Sequence, residues 1–325
     1  MHEVTVFVSG STGFVGAATV RALAKAGFHV RAGVRASSNS VRAVPHAHEV
    51  RPYGNLEQET GWPQILDGSD IVVHIAAPAH LNLGPTEVPV AQRAIIEGTK
   101  NLAAGAVRAG VKRFIYLSSG HVFGAQSRPG RPFRETDPPK PQNHYAIAKQ
   151  QAEREVIRTA AGSDMDYVIV RPPMVYGPGA PGNFSRLVRL VRSSWPLPLL
   201  GAHALRSYIS IDNLASALVV AAQHSAVSNG LFNVSDGADC STAQLIKLIA
   251  QAQTGRARLF WAPQILLQAG AYLVGRGADY DKIFQPFQID SSHFRNVTGW
   301  SPPLSLSEGI RDAVKSPPGS QPHRA

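Results

Sequence analysis

The chain has 325 residues, 44% of them hydrophobic and 17% charged, a composition that predicts a folded protein with an extensive core and excludes a disordered or collagen-like chain. Its net charge of +10 favours anionic ligands, but the basic residues are dispersed rather than clustered, so we expect no nucleic-acid partner. Cys240 is the one cysteine and the histidines form no ligand set, so we expect neither a disulfide framework nor a catalytic metal.

Short β-branched runs alternate with helical patterns along the first half of the chain. This alternation predicts an α/β fold, a Rossmann-type doubly wound parallel sheet with a smaller C-terminal substrate-binding region. The predicted strands are residues 4–8, 28–34, 71–75, 114–118 and 167–171, with two more at 207–211 and 231–234.

Proline and glycine residues between 172 and 182 mark an exit from the sheet. We therefore expect residues 1–175, with a return near 207–236, to form the dinucleotide-binding domain. Residues 176–206 and 237–314 would form the substrate-binding region, and residues 315–325 a flexible tail.

Residues 259–275 are the most apolar run, but they are too few to cross a bilayer and include Pro263, Gln264 and Gln268. We expect an amphipathic helix that packs on the protein, with contact to a membrane surface as the alternative. The first residues lead into a strand without a signal-peptide pattern, so we expect a cytoplasmic protein with no firm membrane association.

A glycine-spaced turn, SGSTGFVG, joins the first strand to the first helix. Gly10 would permit the tight turn, Gly13 would let a pyrophosphate approach the backbone, and Gly16 would let the helix pack on the strand. The turn therefore predicts a dinucleotide site, the alternative being a purely structural bend.

No Asp or Glu occurs between Glu3 and Glu49, so the carboxylate that usually binds the ribose of NAD is missing. The second strand instead carries Arg31 and ends at Arg35, followed by Ser37 and Ser38. Because a guanidinium suits a 2′-phosphate, we prefer NADP as cofactor, with NAD as the alternative.

Tyr145 and Lys149 are four residues apart in a helical segment and so lie on one face. A nearby ammonium would lower the pKa of the tyrosine and make it a usable base, and the lysine would hold the ribose. Ser118 and Ser119 end a strand at the sheet edge where ligands bind, and a serine hydroxyl there can donate to a carbonyl oxygen.

These features resemble the extended short-chain dehydrogenase/reductases of the NAD-dependent epimerase/dehydratase family, which act on nucleotide sugars. The resemblance runs from Val4 to about Ala313. It is carried by SGSTGFVG, HIAAPAH, EGTKNL, LSSGHVFG, YAIAK and IVRPPMVYGPG.

The resemblance implies that Tyr145 is the general acid/base, that Ser119 is the better placed serine, and that Lys149 holds the nicotinamide ribose. It implies a cofactor site made of Gly10, Thr12, Gly13, Phe14, Val15, Gly16, Asn55, Leu56, Ala76, Ala77, Pro172 and Val175, to which the second strand adds Arg35. It also implies that Asn183 and Arg206 hold the diphosphate of the substrate. His121 is a candidate substrate contact, with a structural histidine as the alternative.

Three positions depart from the family pattern. Ile95 replaces a common Asn, Asn55 replaces an Asp, and Gly120-His121 replace the acidic pair of 4,6-dehydratases. Because no acid is placed to protonate a leaving hydroxyl, we expect no dehydration.

The expected reaction is reduction of a 4-keto nucleotide sugar by NADPH. The alternatives are a UDP-hexose 4-epimerase with retained NAD, a reductase of a non-sugar ketone, and a non-catalytic NADP-binding sensor. The family resemblance further implies a homodimer formed through helices near residues 95–109 and 145–158.

Overall fold

The computed structural model describes residues 3–36, 44–58, 61–77, 86–193, 195–253 and 255–315. Ser37, Ser38, residues 78–80 of the HIAAPAH piece and residues 316–325 of the expected tail lie outside the described residues. The strands are β1 (Thr5–Ser9), β2 (His29–Arg35), β3 (Glu49–Tyr53), β4 (Ile71–His74), β5 (Arg113–Leu117), β6 (Asp166–Arg171), β7 (Met174–Tyr176), β8 (Leu205–Arg206), β9 (Tyr208–Ser210), β10 (Gly230–Asn233) and β11 (Cys240–Ser241). The helices are α1 (Phe14–Lys25), α2 (Trp62–Ile65), α3 (Val88–Arg108), α4 (His144–Ala160), α5 (Asn183–Arg192), α6 (Ile211–Gln223), α7 (Thr242–Gln253), α8 (Gln264–Leu273), α9 (Gly277–Phe284), α10 (Ser292–Thr298) and α11 (Leu306–Lys315).

Seven strands form one parallel sheet in the order β10-β6-β5-β4-β1-β2-β3. Every residue of β1, β4 and β5 is buried, as expected for strands that are covered on both faces. One buried cluster joins the sheet to α1 and α6, and another joins it to α2, α3 and α4. The predicted doubly wound Rossmann-type sheet is confirmed, and its strand order reverses between β1 and β4.

The smaller region contains two short sheets and a separate core. β7 pairs with β9, β8 pairs with β11, and a third buried cluster joins α5, α7 and α11. Cys240 is buried in β11 directly before α7, and burial raises the pKa of its thiol to about 12.

Two boundaries differ from those expected from the sequence. The strand expected near 207–211 pairs with β7 rather than returning to the large sheet, whereas β10 does return, beside β6. Lys315 ends α11 instead of starting the tail. α8 forms within the run that was expected to be a packing helix and is attached to the protein by Gln264, but none of its residues is buried. Among the described residues, no helix is long and apolar enough to cross a membrane.

Candidate active site

The glycine turn lies between β1 and α1. Gly10 has a φ of +70°, and a Cβ there would lie 2.8 Å from the backbone of Ala76. A Cβ on Gly16 would collide with the carbonyl oxygen of Gly10, and the Gly13 amide donates to that same oxygen at 3.0 Å. Glycine is therefore required at two of these positions by close backbone approach.

The start of α1 is open to an anion. Gly13 precedes the helix without a side-chain cap, and the first turn has no acidic residue. Thr12 and Gly13 are exposed, whereas Phe14 and Val15 pack partly against the core. A dinucleotide pyrophosphate fits here, because the glycines leave space beside the backbone and the first amides of α1 have no side-chain cap.

Ser11, which the sequence analysis did not single out, fixes this turn to the second strand. Its side chain is buried and its hydroxyl donates to the carbonyl oxygen of Gly33 at 2.8 Å. A serine inside a glycine turn that follows an apolar strand is the signal that would have found it.

Arg35 is the last residue of β2 and is exposed. It lies opposite Tyr53 of β3, whose pKa is raised by burial while Arg35 and a hydrogen bond with the Gly10 backbone act against that rise. Arg31, by contrast, pairs with Glu49 at 2.8 Å and is tied to Ser69 at the other end of the strand. Of the two arginines, only Arg35 therefore lies beside the glycine turn.

Asn55 and Leu56 follow β3. Asn55 is exposed, and its side chain accepts from the Glu57 amide at 3.4 Å. Leu56 is buried, and the side chain of Asn101 donates to the carbonyl oxygens of Leu56 and Glu57. Asn101 belongs to the EGTKNL piece and fixes this loop from α3.

A buried chain of hydrogen bonds connects the ends of β1 and β4, where the sheet order reverses, to α3. Ser9 Oγ lies 2.6 Å from His74 Nδ1, and His74 Nε2 lies 3.0 Å from Thr99 Oγ1. Because Thr99 donates to the carbonyl oxygen of Ile95, its oxygen accepts from Nε2, and Nδ1 then accepts from Ser9. Burial, helped by the nearby Lys149, lowers the pKa of His74 to about 3, so this histidine is neutral.

Ala76 and Ala77 follow this chain in the crevice. The Ala76 amide donates to Ser9 Oγ at 3.4 Å, and its backbone is what blocks a side chain at Gly10. Both alanines are half-buried beside the core. The sheet thus brings them to the same crevice as the glycine turn.

Ser119 follows β5 and caps a 3₁₀ turn of residues Gly120–Phe123. Its side chain is buried, and its oxygen accepts from the His121 amide at 3.2 Å, which leaves its hydroxyl hydrogen available to donate. The Gly120 amide donates to the carbonyl oxygen of Pro172 at 2.8 Å, which fixes Pro172 beside this turn. Val175 lies in β7 and packs with α1 and α6.

Ser118, the other serine at this strand end, is also buried. Its backbone amide donates to the carbonyl oxygen of Val170 in the neighbouring strand β6.

Lys149 connects α4 to the end of β5. Its ammonium is fully buried, donates to the carbonyl oxygen of Leu117 at 2.7 Å and lies 4.6 Å from the centre of the Tyr116 ring. It lies 5.9 Å from the ring centre of Tyr145, one turn earlier on the helix. Since Leu117 is two residues before Ser119, this bond brings the tyrosine, lysine and serine elements together.

Burial is the main cause of the pKa shifts of Tyr145 and Lys149. It raises the pKa of Tyr145 and lowers that of Lys149 to about 7, with Glu153 opposing the second effect. The lowered tyrosine pKa that we expected from Lys149 is therefore wrong for the protein alone, because desolvation by burial raises this pKa. Ile95 is buried in the apolar cluster against which Tyr145 packs.

His121 and Arg206 meet on a residue that the sequence analysis missed, Phe287. The His121 ring lies 4.5 Å from the Phe287 ring, and the Arg206 guanidinium lies 5.6 Å from it. Burial and then the Arg206 charge lower the pKa of His121 to about 4, so this histidine is neutral at physiological pH. Arg206 also donates to the carbonyl oxygen of Gln285 at 2.6 Å, and burial lowers its pKa.

Asn183 is the exposed first residue of α5, after Gly182, and no contact joins it to the other predicted substrate residues among the described ones. The described ranges also contain no group of three or more histidine, cysteine or acidic residues placed to hold a metal ion.

Comparison with known proteins gives a consistent result. The model of the NAD dependent epimerase/dehydratase family matches residues 6–235. The UDP-glucose 4-epimerase of Vibrio cholerae is 34% identical over 316 residues, which cover 96% of this chain and 95% of that protein. The GDP-6-deoxy-D-mannose reductase of Pseudomonas aeruginosa is 24% identical over 326 residues, 94% of each protein.

Among solved structures, MoeE5 in complex with UDP-glucuronic acid and NAD has a TM-score of 0.77 at 25% identity, covering 96% of this chain and 98% of that one. The fold, the glycine turn and the two named relatives agree on an NAD(P)-dependent enzyme of the short-chain dehydrogenase/reductase type. The chain belongs to the NAD dependent epimerase/dehydratase family.

Proposed function

We propose that the protein transfers a hydride at ring carbon C4 of a nucleotide-diphosphate sugar, and that it is a 4-keto sugar reductase that uses NADPH. The observation that carries the proposal is the bond from Lys149 to Leu117, which holds Tyr145 and Lys149 against the strand end that continues into Ser119. This strand end adjoins the β4 side of the crevice with the glycine turn.

Each of the three side chains has one role in this proposal. Ser119 donates a hydrogen bond to the sugar carbonyl oxygen, since its own oxygen already accepts from His121. Tyr145 delivers the proton to that oxygen; its raised pKa suits a proton donor. Lys149 holds the ribose of the cofactor, which supplies the hydride when bound.

The cofactor preference rests on Arg35. It ends β2 beside the glycine turn, on a strand without a carboxylate, and its guanidinium would bind a 2′-phosphate. Gly10, Thr12, Gly13, Phe14, Val15 and Gly16 would hold the pyrophosphate, Asn55 and Leu56 the adenine, and Ala76, Ala77, Pro172 and Val175 the remaining cofactor surface.

The substrate site would lie around Phe287. Arg206 offers a positive charge to the diphosphate, and the neutral His121 offers its Nδ1, which has no hydrogen-bond partner among the described residues. Asn183 would contribute from the start of α5.

A 4-epimerase with retained NAD is the second candidate. It is favoured by the Vibrio cholerae relative, which carries that name, and by the NAD in MoeE5. Denaturing freshly purified protein and identifying the released dinucleotide by mass separates the two. Near-stoichiometric NAD supports the epimerase, and an empty site or traces of NADP support the reductase.

The shared chemistry is tested by Tyr145→Phe. We expect kcat to fall by about 100-fold or more, with cofactor affinity nearly unchanged, because only the proton donor is removed. Tyr167→Phe, in β6 and outside the site, is the matched control. Full activity of Tyr145→Phe on a nucleotide sugar would reject the assignment.

A further inference from the structure

Exposed apolar side chains are concentrated in neighbouring segments of the smaller region. They are those of α8 with Val274, of Phe260 and Trp261, and of Trp195. Ile265 is 75% exposed, Leu273 is 89% exposed and Trp195 is 73% exposed. We call this set the α8 surface.

The α8 surface is held in place by the backbone. The Leu197 amide donates to the carbonyl oxygen of Arg258 at 2.8 Å, and the Phe260 amide donates back to that of Leu197 at 3.0 Å. The side chain of Gln264 donates to the carbonyl oxygen of Gly201 at 2.8 Å. The segment with Trp195 therefore runs beside the one with Trp261, and both are anchored to the protein.

Charged residues flank the α8 surface in the sequence. Residues 259–275 contain no charged side chain, while Arg256 and Arg258 precede them and Arg276 follows. Arg192 ends α5, three residues before Trp195. Two acidic residues lie on α9, where Asp279 is 3.4 Å from Arg276 and Asp281 accepts from the Tyr272 hydroxyl.

α8 combines the exposed apolar side chains of Ile265, Leu266 and Leu273 with the polar Gln264 and Gln268, a pattern typical of helices that lie at a membrane interface. α8 is not buried in this chain and is too short to span a bilayer, which leaves an interfacial position. Tryptophan and tyrosine side chains favour the membrane interface, and arginines at the edge attract anionic lipid headgroups.

We propose that the α8 surface docks the protein onto an anionic phospholipid bilayer, with α8 in the interface and the flanking arginines among the headgroups. The protein lies on the membrane and does not span it. α9 follows α8 and leads to Gln285, which contacts Arg206, so docking places the proposed substrate region next to the bilayer.

The test is co-sedimentation of the full chain with vesicles of phosphatidylcholine alone or mixed with phosphatidylglycerol. We expect binding to the mixed vesicles, weakened by salt. The double variant Leu266→Gln, Leu273→Gln should lower this binding by about tenfold or more, because both apolar side chains lose their contact with lipid. Val90→Gln, a half-exposed apolar residue on α3, should bind as the wild type does.

Melting curves of the variants establish that they are folded, and the experiment does not depend on the reaction that the enzyme catalyses. The proposal is overturned if the wild type stays in solution with every vesicle, or if the double variant binds as well as the wild type. It is also overturned if the double variant dissociates a dimer in light scattering without vesicles, since the surface would then join two copies of the chain.

Discussion

Arg35 is the residue on which the choice of cofactor depends. The NAD-binding carboxylate has no counterpart in the sequence between Glu3 and Glu49, and Arg35 is the basic residue at the strand end beside Gly10. Arg31 is occupied at the other end of the strand by Glu49 and cannot reach the turn.

We expect Arg35→Ala to raise the Kd for NADPH by about tenfold or more and to leave the Kd for NADH nearly unchanged, because only NADPH has the 2′-phosphate that the guanidinium would bind. Fluorescence titration with both cofactors measures this difference. Arg51→Ala, in β3, is the control for loss of a strand arginine. An equal loss of affinity for NADPH and NADH would show that Arg35 does not bind the 2′-phosphate.

His74 makes stability depend on pH. Its pKa is about 3 in the folded protein against an ordinary 6.5. Above pH 6.5 the folded and unfolded chains both hold it neutral, but below that value only the unfolded chain takes up the proton. The folded state therefore loses stability as the pH falls from 6.5 towards 3.

From this difference we expect the titration of His74 to lower the free energy of unfolding by about 2 kcal/mol at pH 5 relative to pH 7. His74→Gln keeps a donor and an acceptor but does not titrate, so its free energy of unfolding should fall less steeply over this interval. Urea titrations at the two pH values measure it, with the exposed His203→Gln as control. A slope equal to that of the wild type would contradict the assignment of this neutral histidine.

At the scale of the elements, the strand-turn-helix unit from β1 to α1 is the most tightly specified part of the site. Gly16→Ala forces a methyl group into the carbonyl of Gly10, so we expect a loss of about 1–3 kcal/mol in stability together with the loss of cofactor binding. Gly270→Ala in α8, where a Cβ meets nothing, is the matched control. Thermal melts with and without cofactor measure both effects; an unchanged Kd in Gly16→Ala would mean that the turn does not hold the dinucleotide.

Elements with a strong local pattern could be predicted from the sequence, and elements defined by a partner could not. β1, β4, β5 and β6 are apolar runs and were expected close to their observed bounds. β3 was missed because Glu49–Tyr53 includes two charges and a proline, which suit an edge strand but give no alternation. β7 has three residues and exists because β9 lies beside it.

The same division holds for the site. The spacing of Tyr145 and Lys149 and the glycine turn are local patterns, and their placement is visible in the sequence. His121 and Arg206 both contact Phe287, although the three residues are more than eighty positions apart. No local sequence pattern could therefore predict these contacts. The raised pKa of Tyr145 was missed because it depends on burial by the surrounding fold, which a one-turn spacing does not show.

At the scale of the whole molecule, a buried polar network joins the two regions. Asp236 follows β10 and accepts from the Tyr176 hydroxyl at 2.7 Å, from the Ser210 amide at 2.9 Å and from the Asn213 side chain at 2.7 Å. Asn213 in turn exchanges hydrogen bonds with the backbone of Leu304 at 2.8 and 2.9 Å. One carboxylate thus links the large sheet, β7, α6 and the segment before α11.

Because this carboxylate serves both regions, we expect them to unfold together. Asp236→Asn places amide hydrogens against donors that are already buried, and should lower the free energy of unfolding by at least about 2 kcal/mol while the transition stays single. Scanning calorimetry measures this as agreement between the calorimetric and van't Hoff enthalpies, with the exposed Asp312→Asn in α11 as control. Two separated transitions, with cofactor raising the midpoint of only one, would instead mean that the sheet and the smaller region are stable independently of the network around Asp236.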